Sequence, residues 1–541
     1  MNDMNFTSPL ADPVGGIAPQ TTRVANLAHF LTRNARRYPD RPAVIWEGTI
    51  WTWAEMDARV SALAAAMMER FGVTKGTRVL VQSQNCNQMF ESMFACFRLG
   101  AVWVPTNFRQ SPDEVAWLAQ SSGSTLMITG AEFPDHVAAC DGIDRHITIG
   151  GDGADDFDTI VSEFMGASVA NEPVDRDDPC WFFFTSGTTG RPKAAVLTHG
   201  HMSFVVLNHL NDLMPGSNVD NMSLVVAPLS HGAGIHQLVN AAAGGGMVLL
   251  PKGKFDVSEA WLLVAEHKVT NMFTVPTIVK MLVEDPSVDE HDRSSLKQVI
   301  YAGAPMYRAD QKYALNKLGP VLVQYFGLGE VTGNITVLPP SEHFAEDADM
   351  RVGSCGHERT GMQVSIQDDE GRELAPFETG EICVCGPAVF AGYYDNPEAN
   401  AKSFRGGFFR TGDLGHVDEQ GYLYITGRSS DMYISGGSNV YPREIEEKLL
   451  TLDGLTEVAV LGIPDPKWGE VGVAVCVARE GATVSEEDVV SFLKPKVSGY
   501  KVPRKVFFFD EMPKTSYGKI TKKLIRETLV ERGLVTLEAA Q

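Results

Sequence analysis

The 541-residue chain has no run of 18 apolar residues, which argues against a membrane-spanning helix. It also lacks a surplus of basic charge. With 46 Lys and Arg against 68 Asp and Glu, the formal net charge is −22. Such a surface repels phosphate backbones and anionic lipid, so nucleic acid and membranes are excluded as expected partners, and any anionic ligand must be held by local positive charge. Cysteine is scarce and unpatterned. Cys86, Cys96, Cys140, Cys180, Cys355, Cys383, Cys385 and Cys476 sit mostly in apolar runs without the spacing of a metal site or disulfide framework. They read as buried free thiols in a reducing cytoplasm. Residues 1–20 have neither the basic start nor the apolar centre of a leader, and read as a flexible tail. Internal repeats and low-complexity tracts are absent, and 44% hydrophobic against 21% charged residues excludes wholesale disorder.

What is present is alternation of helix and strand signals. Val24, Leu27, Leu31 and Ala35 form a helical stripe. Thr52 with Glu55 is a capping box opening a helix that closes near Gly72, and Ser111 to Glu114 is a second helix start with proline at its first position. Arg78–Val81 and Thr125–Ile128 read as strands. Strands separated by helices predict an α/β fold: a large multi-layer N-terminal domain of helix-covered sheets, with this pattern continuing to about residue 425. A small α+β unit then follows, with a helix over 443–450, strands at 457–461, 471–475 and 505–509, and a helix capped by Ser485 and Asp488. Its end is basic, with Lys494, Lys496, Lys501, Arg504, Lys505, Lys514, Lys519, Lys522, Lys523 and Arg526, a candidate anion site on so acidic a chain.

The strongest local signal is an apolar strand from Trp181 that enters Thr185-Ser186-Gly187-Thr188-Thr189-Gly190-Arg191-Pro192-Lys193, followed by a second apolar strand. The glycines let backbone N–H groups converge and the hydroxyls add donors, a concavity suited to phosphate. It is not the common P-loop, in which Gly-Lys-Ser/Thr opens a helix.

This loop resembles the signature of the adenylate-forming superfamily, the acyl-CoA synthetases and their relatives, and the resemblance extends in order along nearly the whole chain. Gly303-Ala304-Pro305 resembles the segment lying against adenine. Tyr325-Phe326-Gly327-Leu328-Gly329-Glu330 resembles the aromatic-Gly-x-Thr-Glu motif, and Asp413 stands in a ribose-binding motif. Arg428 and Ser430 fall at a hinge, Gly436-Gly437 in the loop after it, and Lys519 in the catalytic-lysine motif. The resemblance implies a domain of residues 21–428, a hinge at 429–431 and a mobile lid over 432–541. It implies ATP, Mg²⁺ and coenzyme A as cosubstrates and cofactor, and allows for a homodimer. Lys519 would bridge the carboxylate and the α-phosphate, Glu330 would bind magnesium, Asp413 would hold the ribose, Arg428 would reach ribose or phosphate, and Phe326 would pack on adenine. Thr185 to Gly190 with Lys193 would cradle the triphosphate, and Gly436 and Gly437 would line the pantetheine path.

Pro228 to His236 resembles the acid-pocket segment, with His231 at a gate between acid and thiol and with Ile235, His236, Gly303 and Gly327 as lining; Gly232 and Gly234 are expected to leave space. No aspartate stands there to hold an α-ammonium and no arginine to hold a second carboxylate, so an aromatic or medium-chain aliphatic monocarboxylic acid is expected. The implied reaction is ATP-dependent acid–CoA ligation; alternatives are loading of a carrier-protein thiol, or a weak acyl- and nucleotide-binding relative. Gly329, Ser430 and Tyr517 depart from the pattern. Gly329 lacks a hydroxyl, so Gly329→Thr is expected to raise adenylation if φ is negative and the site has room.

Overall fold

The computed structural model describes residues 21–185, 191–253, 255–304, 306, 308–346, 350–428, 431–436, 438–514 and 520–535, with Asn439 by its backbone. The expected tail 1–20 and residues 429–430 of the expected hinge lie outside these.

A six-stranded sheet runs Lys193–Thr198, Pro179–Thr185, Val102–Pro105, Arg78–Gln82, Leu126–Gly130, His146–Ile149. Its inner strands are parallel, while the edge pair, β1 (Pro179–Thr185) and β2 (Lys193–Thr198), is antiparallel, with Thr185 opposite Lys193. Period-two alternation in β1 sends Phe182 and Phe184 into one core with Leu80, Val102 and Ala194. Trp181 and Phe183 join the main core on the other face, the one from which Thr185 reaches Glu330. After β2 come the helix α1 (His199–Asp212) and the helix α2 (Gly232–Ala243).

A 14-stranded sheet has a parallel stretch that includes β3 (Asn271–Thr274), Gln298–Tyr301 and β4 (Leu322–Phe326). Beyond β4 every pairing is antiparallel, ending in the hairpin β5 (Phe408–Val417) and β6 (Tyr422–Arg428). Helix–strand alternation therefore thins out well before residue 425, with one short helix, Pro397–Ser403, among the later strands. A tight reversal at Gly421 (φ +81°) joins β5 to β6 directly, and antiparallel neighbours need no crossover helix. The first helix is shorter than its stripe suggests. It spans His29–Arg37, and Val24 lies in a two-residue strand paired with Val174, although Leu27 and Leu31 are buried as expected. The capping boxes at Thr52, Ser111 and Ser485 all form.

The last five strands, Tyr433–Ser435, Ser438–Val440, Leu455–Asp465, Gly469–Ala478 and Lys505–Phe508, make a separate sheet with its own apolar clusters, so the chain is a large α/β domain followed by a smaller α+β one. Part of the basic cluster there is consumed internally. Lys501 pairs with Glu444 at 2.6 Å, Lys514 with Glu457 at 2.8 Å and Lys522 with Glu446, while Arg526 donates to the Gly462 carbonyl. These lysines do not make the open anion site that the sequence suggested; Lys519 lies outside the described residues. All eight cysteines are free, and all but Cys385 are buried. Among the described residues no helix is long and apolar enough to cross a membrane.

Burial holds several histidines neutral: the pKa is pushed down to about 4 in His199, about 3 in His201, and about 4 in His236 and His343. Their folded values lie below the unfolded value near 6.5. Their contribution is therefore complete above about pH 6.5 and is lost as pH falls toward 4, at up to about 1.4 kcal/mol per pH unit per group. Melting temperature measured from pH 7.5 to 4.5 should drop steeply below 6.5, and His236→Gln should make the slope shallower. An unchanged melting temperature down to pH 5 would show that these rings are not buried as neutral groups.

Candidate active site

β1 ends at Thr185, where the expected phosphate loop begins. Thr185 Oγ1 donates to Glu330 Oε1 at 2.8 Å. Glu330 is buried in a 3₁₀ turn over Gly329–Val331, which directly follows β4 and the pair Gly327-Leu328. A second hydroxyl, Tyr393 Oη, donates to the same carboxylate oxygen at 2.9 Å. Tyr393 is brought there because residues 391–394 pair along β2, with Tyr394 N donating to Ala194 O and Ala391 N to Val196 O. Burial and the neighbouring Glu330 carboxylate push the Tyr393 phenol far up, so it stays a proton donor. Lys193 Nζ sits 4.3 Å over the Tyr393 ring, a cation–π contact that places the lysine beside this group. Downstream of the loop, Arg191 stacks over Trp117 at 4.3 Å and Trp117 Nε1 donates to Pro192 O, fixing the chain as it leaves. The stretch Ser186, Gly187, Thr188, Thr189, Gly190 lies outside the described residues, as do Pro305, Ser430, Gly437, Tyr517 and Lys519.

Asp413 and Arg428 face each other across β5 and β6, and Arg428 Nε donates to Asp413 Oδ1 at 2.9 Å. Burial raises the Asp413 pKa, opposed by Arg428. Gly303 takes φ +82°, a conformation that favours glycine, and the space over it is open, the nearest atom to an added Cβ being Val275 Cγ1 at 4.0 Å. Ala304 is exposed and Phe326 half-buried, whereas Tyr325 is buried and stacked on Phe273 with centroids 5.9 Å apart. At Gly327 an added Cβ would fall 2.4 Å from Gly333 Cα, so glycine there serves backbone approach. Leu328 is half-buried.

His231 precedes α2. It is half-buried, joined to Ser230 Oγ at 2.8 Å and edge-on to Phe183 at 5.4 Å. Ile235 is buried. His236 is fully buried, donates to Asn271 Oδ1 at 2.7 Å and lies among Phe273 and His209, the surroundings of a core histidine. Gly232 and Gly234 do not leave the space expected of them. An added Cβ at 232 would meet the Phe273 ring at 2.7 Å, and at 234 the Leu229 carbonyl at 2.1 Å. Gly436 has φ +58° and packs under Trp468. At Gly329 the backbone is outside the left-handed region, yet an added Cβ would lie 2.7 Å from Phe183 Cδ1 and from Thr185 Cγ2. The room that Gly329→Thr needs is absent, and that expectation is corrected to a loss.

Sequence reasoning missed Tyr393 and Arg359. Arg359 is fully buried behind the 327–334 turn, donating to Asn334 Oδ1 at 2.8 Å and to the Gly333 carbonyl at 3.3 Å, with Asp212 at 3.7 Å. Burial pulls its pKa down to about 10 against the charge of Asp212. A fully buried arginine supplied by the residue just after the strand Ser354–Glu358 and paired with an acid from α1 carries no linear spacing that a sequence can reveal.

Residues 31–394 match the model of the AMP-binding enzyme family, and residues 444–519 match that of the AMP-binding enzyme C-terminal domain. The chain belongs to this family and is an AMP-forming acyl-CoA synthetase. It is 36% identical over 505 residues to a feruloyl-CoA synthase of an Amycolatopsis species, covering 93% of this chain and 99% of the relative. It is 31% identical to an indoleacetate–CoA ligase of Aromatoleum aromaticum, covering 94% of this chain and 98% of the relative. Among solved structures it resembles ATP-bound MatB from Rhodopseudomonas palustris, with TM-score 0.83 and 30% identity over 93% of this chain and 99% of the other.

Arg359→Ala should destabilise the protein by about 3–5 kcal/mol in chemical denaturation, because a fully buried side chain is removed, Asn334 Oδ1 and the Gly333 carbonyl lose their donor, and Asp212 keeps its bonds from Asn208 and Thr360 but loses its counter-charge. A loss below about 1 kcal/mol would show that the turn carrying Glu330 does not rest on this pair.

Proposed function

We propose that this enzyme joins a carboxylic acid to coenzyme A in two steps: an acyl-adenylate forms with release of pyrophosphate, and a thioester then forms with release of AMP. The observation that carries the reading is the Thr185–Glu330–Tyr393 contact. It fixes a buried carboxylate at the root of the hydroxyl- and glycine-rich segment, with Lys193 alongside. In the first step a carboxylate oxygen attacks the α-phosphorus and the bond to the β-phosphate breaks. Charge builds on phosphate oxygens, so positioning and positive charge do most of the work. Lys519 supplies that charge from the lid, Lys193 and the loop Thr185 to Gly190 bind the triphosphate, and Asp413 and Arg428 engage the ribose, next to an adenine packed by Phe326 and Gly303-Ala304-Pro305.

Magnesium fits as an ion that arrives with ATP. Among the described residues no group of three or more His, Cys, Asp or Glu could form a protein cage, and Mg²⁺ commonly takes one or two carboxylates together with substrate phosphates. Both hydroxyl bonds fall on Glu330 Oε1, so they do not consume its other oxygen.

For the acid, we take the aromatic class over the medium-chain aliphatic one. The relatives named for ferulate and indoleacetate support this, as does an apolar surround of Phe183, Ile235, Phe273 and Tyr325. His231 stands between acid and thiol, residues 429–431 act as the hinge of lid rotation, and Gly436 and Gly437 border the thiol path.

Screening an acid panel for AMP formation with and without coenzyme A tests the reading. AMP release should rise sharply with coenzyme A for an aromatic monocarboxylic acid. Carrier-protein dependence instead would overturn the choice of thiol. Lys519→Ala should lower adenylation at least about 100-fold, while thioester formation from preformed acyl-adenylate stays within about fivefold of the parent. Equal loss of both steps would contradict the division of labour between Lys519 and the rotated lid.

A further inference from the structure

The departure at Gly329 has a partner. An added Cβ there would lie 2.7 Å from Phe183 Cδ1 and Cε1, closer than side chains pack, so the Phe183 ring already fills that volume. The same Cβ would press on Thr185 Cγ2 at 2.7 Å, and Thr185 is one of the two hydroxyls holding Glu330. On its other side Phe183 meets His231, with centroids 5.4 Å apart and planes at 78°. Trp181, two residues earlier on the same face of β1, backs the ring at 6.0 Å. Trp181, Phe182 and Phe184 are buried, but Phe183 is half-buried, so part of its ring borders open space. One aromatic ring thus touches the Glu330 turn and the histidine at the head of α2.

We propose that Phe183 is a specificity-determining residue of the acid site: its ring takes the volume of the absent side chain at 329 and sets the position of His231. The proposal rests on the acid–CoA ligase reading given above. A residue with a side chain at 329 and a smaller one at 183 would exchange volume between the phosphate side and the acid side of the same site. Gly329 is then a required half of a matched pair and not a weakened motif.

The test is a mutant cycle of Gly329→Ala and Phe183→Ala, run in the parent and in a Thr185→Ser background, which removes the second clash while keeping the hydroxyl. Three readouts are taken: the adenylation rate, kcat/KM across acids of graded bulk with KM for ATP, and the melting temperature. Gly329→Ala alone should lower adenylation at least about tenfold. That loss should shrink to about threefold or less once Phe183→Ala and Thr185→Ser are both present, a coupling in the range seen for touching side chains. Phe183→Ala should move the acid preference toward bulkier acids by about tenfold or more, with KM for ATP within about twofold. His231→Ala should move the same preference without adding to the effect of Phe183→Ala.

Additive losses for 183 and 329 would overturn the matched pair. A lowered melting temperature with an unmoved acid preference would reduce Phe183 to packing and overturn the specificity role. If the parent adenylates no acid, the ligase reading fails and the specificity role with it. The melting cycle still decides the packing by itself, since additivity there would contradict the 183–329 contact whatever the activity. Phe183→Leu, which keeps more of the core volume, replaces Phe183→Ala if that variant does not fold.

Discussion

The site depends on a carboxylate held in place by two hydroxyls. Glu330 belongs to the turn after β4, Thr185 to the end of β1, 145 residues earlier, and Tyr393 to a segment that runs beside β2, 63 residues later. A buried carboxyl group is costly unless hydrogen-bonded, so these two bonds hold the three segments together. The two large sheets are thereby tied at the point where the hydroxyl-rich loop leaves β1.

Behind that contact lies a layer of buried polar groups unusual for a hydrophobic core. Arg359 bonds to the 333–334 backbone and side chain, and His209 accepts from Arg359 Nη2 at 3.3 Å. Asn334 donates in turn to Asn208 on α1. His236, Asn240 and Asn271 form a second set joining α2 to β3. The Arg359 bonds to Gly333 and Asn334 tie down the turn carrying Glu330, although Arg359 Nε and His236 Nδ1 have no hydrogen-bond partner among the described residues. The glycines at 327, 329 and 333 belong to the same construction: each allows a backbone or ring approach that a Cβ would block.

Much of this was legible in the sequence because it rests on short-range rules. Capping boxes at Thr52, Ser111 and Ser485, the strand–loop–strand around Thr185 and Lys193, and the change of style into the last α+β unit all follow from residues a few positions apart. Where sequence reasoning failed, the deciding contact was distant. Gly232 and Gly234 looked like space but accommodate Phe273 and the Leu229 carbonyl, and three lysines of the basic run near the end, which looked like an anion site, are paired with Glu444, Glu446 and Glu457. Gly329 looked like a missing donor, yet its volume is held by a phenylalanine from β1. The period-two pattern Trp181, Phe183, Thr185 placed that ring on the site face, but no spacing rule joins it to residue 329. Tyr393 and Arg359 were invisible for the same reason.

In the proposed mechanism a bound acid is activated on the α-phosphate before any thiol takes part. Exchange of labelled pyrophosphate into ATP, measured in the absence of coenzyme A, tests it most directly. Label should enter ATP only when an accepted acid is present, and Glu330→Gln should slow that entry strongly. Exchange that required coenzyme A, or that proceeded equally without any acid, would contradict it.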